Sequence, residues 1–204
     1  ARDDYQNHYK MSKPFIEAGL PIYIDKPLTI TTKDAKKIFS LEKYKDQIFT
    51  CSALSFAKEL QLNEKDKAEI GQISHIDAIV IKDWNKYGIH VIEPIMKILS
   101  NDYKNPESLK INKTFKQTSK DKKIVSFKFQ NKVTTTITTL GKLTSPISIR
   151  IFGKNGFKEL VFKDTFSAFK NALQKFINII EKKDHNIPRN FTLKVITAIE
   201  KGNK

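Results

Sequence analysis

Apolar and polar positions change their period along the chain, and the changes divide it. Tyr9, Met11, Phe15, Ile16 and Ala18 recur at spacings of three and four, which predicts a helix over 5–18 with Gly19 as its stop. Pro21-Ile22-Tyr23-Ile24 is a short, nearly unbroken apolar run, the pattern of a parallel strand buried on both faces. A second helix over 32–44, capped by Thr31 or Thr32, and a second buried strand over 47–52 follow. Helix and strand alternating at this pace is the mark of βαβ winding.

The period then changes. Residues 73–82 alternate: Ile73, His75, Asp77 and Ile79 fall on one face, and Ser74, Ile76, Ala78 and Val80 on the other. Ile89, Ile92, Ile95, Met96 and Leu99 give an amphipathic helix over 88–99. Strands are expected over 123–129, 133–140, 147–152 and 157–162, with Asn155-Gly156 as the hairpin turn between the last two. The β-branched run Val133-Thr-Thr-Thr-Ile-Thr-Thr favours strand. Residues 101–121 read as loops, and helices over 165–182 and 190–200 close the chain. The expected fold is α/β plus α+β. Residues 1–60 form the C-terminal half of a Rossmann-type domain. Residues 61–204 form a mostly antiparallel sheet domain with helices on one face. The other face of that sheet, rich in Thr and Ile, is expected to pair with a second subunit.

Composition narrows the function. Hydrophobic residues make up 39% of the 204 and charged residues 29%, which supports a packed core. No apolar run approaches the roughly 20 residues of a membrane span, and Ala-Arg-Asp-Asp-Tyr at the start has no apolar signal region. The single cysteine, Cys51, excludes an intrachain disulfide, so a reducing cytoplasm is the expected compartment. Its place in an apolar run suggests packing. The net charge of +15 raises the question of nucleic acid. However, the lysines are spread along the chain and arginine is confined to Arg2, Arg150 and Arg189, whereas phosphate and base readers favour arginine forks. No nucleic-acid partner and no membrane partner is expected.

Chemistry concentrates in two places. In Asp25-Lys26-Pro27 the proline holds Lys26 extended at the carboxyl end of a parallel strand, the edge where open α/β sheets bind ligands. A lysine there can pass a proton; an ordinary surface turn is the alternative. In Trp84-Asn85-Lys86-Tyr87-Gly88-Ile89-His90 a histidine falls in the first turn of a helix. It is a general acid or base or a capped, solvated side chain. Trp84 and Tyr87 either wall a pocket or belong to the core. His8, His75 and His185 are dispersed, so no metal site is expected. No Gly-x-Gly-x-x-Gly, Walker loop or Gly-x-Ser-x-Gly elbow occurs.

Taken in order, these segments resemble the Gfo/Idh/MocA family of glucose-fructose oxidoreductases and inositol dehydrogenases. Asn7-His8 opens the helix that Glu17-Ala18-Gly19 closes, and Asp25-Lys26-Pro27 stands where the family has Glu-Lys-Pro. Ile70-Gly71-Gln72-Ile73 matches the link into the second domain, and Gly88-Ile89-His90 the Gly-x-His helix opening. The helix Phe166 to Ile180, Ile187-Pro188 and Ala198 to Gly202 match the family's end. The resemblance implies hydride transfer between NAD or NADP and a sugar, polyol or sugar-nucleotide, in a homodimer or homotetramer. It implies Lys26 and His90 as the catalytic pair. Asn7, His8, Asp25, Lys26 and Pro27 would border the cofactor, and Trp84, Lys86 and Tyr87 the substrate.

Three departures qualify it. Lys86 stands where many members have Asp, which leaves open an anionic substrate, a different proton relay, or a catalytically inactive binding or regulatory protein. Asp25 has a shorter reach than Glu. The strand, glycine loop and helix that cradle the pyrophosphate are absent. With Ala1 as first residue and no strand before the first helix, this predicts a fragment that is inactive alone and whose partial parallel sheet has an unpaired edge.

Overall fold

A computed structural model describes residues 4–204. Helix α1 (His8–Glu17) ends in a left-handed turn at Gly19, φ +76°. There the Gly19 N–H reaches Ile16 O at 2.9 Å and the Leu20 N–H reaches Phe15 O at 3.0 Å, a Schellman closure. Strand β1 (Ile22–Tyr23), helix α2 (Thr32–Phe39) and strand β2 (Ile48–Phe49) follow. Thr31 caps α2, accepting from the Asp34 N–H at 3.2 Å. The second helix stops at Phe39, short of residue 44, and 40–46 form turns. The strands pair in parallel, Ile22 opposite Ile48 and Tyr23 opposite Phe49. Buried Gln47 ties α1 to this sheet, donating to Ile16 O at 2.8 Å and Leu20 O at 3.0 Å.

Helix α3 (Glu64–Ile70), opened by an Asn63/Asp66 capping box, leads into strand β3 (Ile73–Val80). Helices α4 (Trp84–Tyr87) and α5 (Ile89–Leu99) come next. Strands β4 (Ile111–Ser119), β5 (Lys122–Phe129), β6 (Thr134–Thr139), β7 (Ser148–Gly153) and β8 (Phe157–Val161) complete a six-stranded sheet of order β4-β5-β6-β3-β7-β8. Every neighbouring pair is antiparallel except β3 with β6. Helices α6 (Thr165–Ile180) and α7 (Arg189–Asn203) close the chain.

Strand β4 corrects the reading of 101–121 as loops. Ile111 is its one buried residue, so no alternation marks it. It is a charged edge strand whose ladder to β5 defines it, Phe115 opposite Ser126 and Gln117 opposite Ile124.

One face of the large sheet is apolar and buried: Ile76, Ala78, Val80, Val125, Phe127, Phe129, Ile137, Ile149, Ile151 and Leu160. Helix α5 packs against β3 and β7, and α7 reaches β4. The opposite face carries Thr134, Thr136, Thr138, Ile79, Ile124 and Phe115; Phe115 is 65% exposed. A second, smaller core of Ile16, Ile24, Leu28, Ala35, Ile38, Phe39 and Ile48 is closed by Ile196 of α7. Helix α7 is therefore common to both cores. It is pinned further by Glu200, which accepts from the Thr32 N–H at 3.0 Å and the Thr32 hydroxyl at 2.8 Å.

Candidate active site

Strands β1 and β2 run in the same direction, so the residues just past their ends emerge on one edge. Past β1 that segment is Asp25-Lys26-Pro27, with a cis Lys26–Pro27 peptide; past β2 it is Cys51-Ser52. Lys26 is buried, 8% exposed, with its Nζ 5.1 Å from the centre of the Tyr87 ring. His8 is fully buried beneath this turn. Its Nδ1 donates to Leu28 O at 2.9 Å, since a carbonyl can only accept.

His90 comes to the same place from the other sheet's helix. Its ring lies 5.3 Å from that of Tyr87, edge on. It is neither a cap nor solvated, being 6% exposed with Nδ1 2.8 Å from Ser52 Oγ. Burial, reinforced by the Lys26 and Lys82 charges, pushes its pKa down to about 3, so the ring is neutral near pH 7. Lys82 Nζ lies 4.2 Å from the Tyr87 ring centre and donates to the Tyr87 hydroxyl. Tyr87 is thus the common neighbour of Lys26, Lys82 and His90.

One helical turn beyond His90, Glu93 is 4% exposed and accepts from the Ser52 N–H at 2.8 Å. Burial pushes its carboxyl up to about 7, against the stabilising effect of Ser52, Ser55 and Lys97. Beside it, Cys51 Sγ lies 3.3 Å from the Tyr23 hydroxyl; burial raises the pKa of both groups. Such a thiol is a packing residue and a poor nucleophile.

Trp84, one of the residues expected at the substrate, lies in the core. It is 4% exposed, its indole N–H donates to Ile199 O at 2.9 Å, and its ring packs near Phe127. The Lys86 backbone N–H closes a cap on Asp83 at 2.9 Å. Asn7 sits at the exposed start of α1, its amide on Asp4 at 2.8 Å. Asp25 is half-buried beside Lys26, and Pro27 is buried.

Sequence reasoning missed Lys82, Ser52 and Glu93. Glu93 carried a signal, because a residue three beyond His90 on a helix lies on the same side. Ser52 and Lys82 follow strand ends at which no motif marks them. Among the described residues no group of His, Cys, Asp and Glu is placed to hold a metal ion, and no helix is long and apolar enough to cross a membrane. A cavity of about 510 Å³ is lined by Glu42, Lys45, Ile48, His185, Arg189 and Thr192, and neither Lys26 nor His90 lines it.

No family model matches this chain, and no curated protein matches it by sequence. Solved structures match over nearly its whole length. Apo scyllo-inositol dehydrogenase from Lactobacillus casei superposes with a TM-score of 0.74 at 13% identity, over 98% of this chain and 74% of that one. UDP-N-acetylglucosamine 3-dehydrogenase GnnA from Acidithiobacillus ferrooxidans gives 0.70 at 11% identity, over 96% and 74%. GenD2 from gentamicin A biosynthesis, crystallised in complex with NAD, gives 0.72 at 10% identity, over 95% and 71%. At these identities the likeness establishes the fold: a mixed sheet with helices, as in the C-terminal domain of these proteins.

Proposed function

We propose that this chain is the substrate-binding part, with the rear of the dinucleotide-binding part, of an NAD(P)-dependent dehydrogenase of the Gfo/Idh/MocA group. The reaction moves a hydride between the nicotinamide and a carbinol carbon of a sugar, polyol or sugar-nucleotide. The observation that carries this reading is the meeting of Lys26 and His90 at Tyr87, beside the ends of two parallel strands. The NAD bound to GenD2 and the named substrates of the other two enzymes support the same class.

The donor set fits the reacting end of such a complex and not its phosphate end. Lys26 and His90 can address one hydroxyl oxygen from two sides, and Asp25, His8 and Pro27 shape the turn beneath it. No glycine-rich loop for a pyrophosphate occurs in residues 1–204. We assign residues 1–60 to the partial dinucleotide unit and 61–204 to the substrate and oligomer unit. When bound, NAD(P) supplies the hydride acceptor. Lys26 orients the hydroxyl and helps move its proton, and His90 holds the same oxygen. Lys82 and Lys86 bring positive charge to this side of the molecule, which favours an anionic sugar derivative. The open Thr- and Ile-bearing sheet face is the surface for a homodimer or homotetramer.

The second reading is a catalytically inactive binding protein on this fold, favoured by Lys86 in place of an acid. An absorbance assay at the reduced-nicotinamide band separates the two. The protein encoded by the complete gene is tested with NAD⁺ and NADP⁺ against sugars, sugar phosphates, inositols and sugar nucleotides. Turnover that falls at least 100-fold in Lys26→Ala supports the dehydrogenase. Sugar binding without turnover, or turnover indifferent to Lys26→Ala, supports the other. The reading also expects the gene to encode a strand, Gly-x-Gly-x-x-Gly and helix ahead of Ala1.

A further inference from the structure

His90 and Glu93, three residues apart on α5, both end on Ser52, a residue just past strand β2 of the small sheet. Glu93 Oε2 accepts from the Ser52 N–H at 2.8 Å, and the Ser52 hydroxyl meets His90 Nδ1 at 2.8 Å. Ser52 is fully buried and its backbone is extended, ψ 126°, where it caps the short 3-10 turn Ala53–Phe56. In that role its Oγ accepts from the Leu54 N–H at 3.2 Å.

These contacts settle where the protons lie. A serine hydroxyl has one proton to give and two lone pairs to share. Leu54 takes one of the lone pairs. If His90 carried its proton on Nδ1, the hydroxyl would accept a second time, and its own proton would be buried with no acceptor among the described residues. Buried polar groups left in that state are strongly disfavoured. If Nδ1 is unprotonated, the hydroxyl donates to it while still accepting from Leu54, and both the hydroxyl proton and Nδ1 are engaged. The imidazole is neutral, so its one proton is then on Nε2, the nitrogen turned away from Ser52.

We infer that Glu93 and Ser52 are a positioning pair for His90: the carboxyl group fixes the Ser52 backbone, and the Ser52 hydroxyl holds the imidazole as the Nε2–H tautomer. The groups around the ring agree. Lys26 and Lys82 set positive charge near it, Tyr87 packs on its edge, and Glu93 lies behind Ser52 and makes no direct bond to the ring. His90 therefore presents a hydrogen-bond donor. It holds an oxygen of the ligand and does not take a proton from it, and proton removal falls to Lys26. That consequence rests on the dehydrogenase reading; the tautomer and its two supports do not.

The test is a long-range ¹H–¹⁵N correlation spectrum of the full chain with labelled histidine, with His90 assigned through its loss in His90→Gln. The expected pattern at pH 7 is a pyridine-type Nδ1 and a pyrrole-type Nε2, unchanged down to pH 5. A pyrrole-type Nδ1 in the unsubstituted protein overturns the inference without any variant. In Ser52→Ala the two nitrogen shifts should move toward a tautomer average. Glu93→Ala should move them less, and Glu93→Gln, whose amide oxygen can still accept from the Ser52 N–H, should restore them. Shifts that stay fixed in folded Ser52→Ala sink the pair as a positioning device. Failure of hydride transfer in the assay above, with these shifts as expected, would remove the dehydrogenase reading and leave this one intact.

Discussion

Helices α5 and α6 both carry apolar stripes, and the structure treats them differently. Every residue of α5 from Ile89 to Met96 is buried, between the six-stranded sheet and the neighbouring helices. On α6, Phe166, Phe169, Leu173, Ile177 and Ile180 recur at helical spacing, yet all are exposed; Phe166 is 77% exposed. Helix α6 lies over the small parallel sheet, where Phe176 packs 5.7 Å from both Tyr23 and Phe49. That sheet has two strands of two residues each, too little surface to cover a helix of 16 residues. The large sheet buries the helix packed on it; the small one leaves its helix half uncovered. The Lys26–Tyr87–His90 cluster is built across the seam between them.

The comparison predicts where stability resides. Phe129 is 1% exposed on the inner face of the large sheet, where its ring packs 6.3 Å from that of Phe127. Phe129→Ala should cost about 3–5 kcal/mol, read as a fall in urea midpoint at unchanged slope. A cost below about 1 kcal/mol would mean that the large sheet is not the stable unit.

At the seam, two buried groups pull stability in opposite directions with pH. The carboxyl of Glu93 is raised from 4.5 to about 7, so the native state holds the extra proton between those values and stability falls as pH rises through them. His90 is lowered from 6.5 to about 3, so the unfolded state holds the extra proton and stability rises with pH between about 3 and 6.5. The two slopes oppose each other between pH 4.5 and 6.5. Glu93→Gln removes the falling one. Relative to the unsubstituted protein it should gain about 1.4 kcal/mol per pH unit, or about 3 kcal/mol between pH 4.5 and 7. Parallel curves in urea titrations across this range would show that Glu93 titrates as an ordinary surface acid.

Glu200 joins α7 to the start of α2. The Lys204 ammonium and the Thr32 N–H and hydroxyl hold its carboxyl down to about 2. A depressed acid stabilises above its ordinary pKa, and that contribution is lost as pH falls from 4.5 toward 2. Glu200→Gln should cost about 1–2 kcal/mol at pH 7 and only a small part of that at pH 2, a smaller figure than the shift suggests because the side chain is partly open to solvent. An equal cost at both pH values would assign the effect to packing.

What was legible in the sequence follows the same division. The βα alternation before residue 60, the Schellman glycine at 19 and the Asn155-Gly156 turn rest on local rules, and each is where the pattern put it. Strand β4 was not legible, because its only warrant is the ladder to β5. His90 was readable as a helix residue, but its burial was not, since that depends on Ser52 arriving from just past strand β2 of the small sheet. Trp84 could be read as pocket or core, and its indole bond to Ile199, more than a hundred residues away, decided for core. Periodicity reports that a face is apolar; it does not report what lies opposite.

The uncovered stripe of α6 supplies the weakest predicted effect and the most direct contrast with Phe129. Leu173 is 50% exposed, so shortening it removes little buried surface. Leu173→Ala should change stability by less than about 0.5 kcal/mol, with alanine's helix propensity offsetting the small loss of contact. The same substitution on a helix packed like α5 would cost about 2–5 kcal/mol. Urea midpoints at two protein concentrations a hundredfold apart make the comparison sharp. A cost above 2 kcal/mol that grows with concentration would mean that the stripe is covered by another copy of the chain in solution. A cost that large at both concentrations would mean that α6 is folded onto its own sheet more closely than the structure shows, and the contrast between the two helices would disappear.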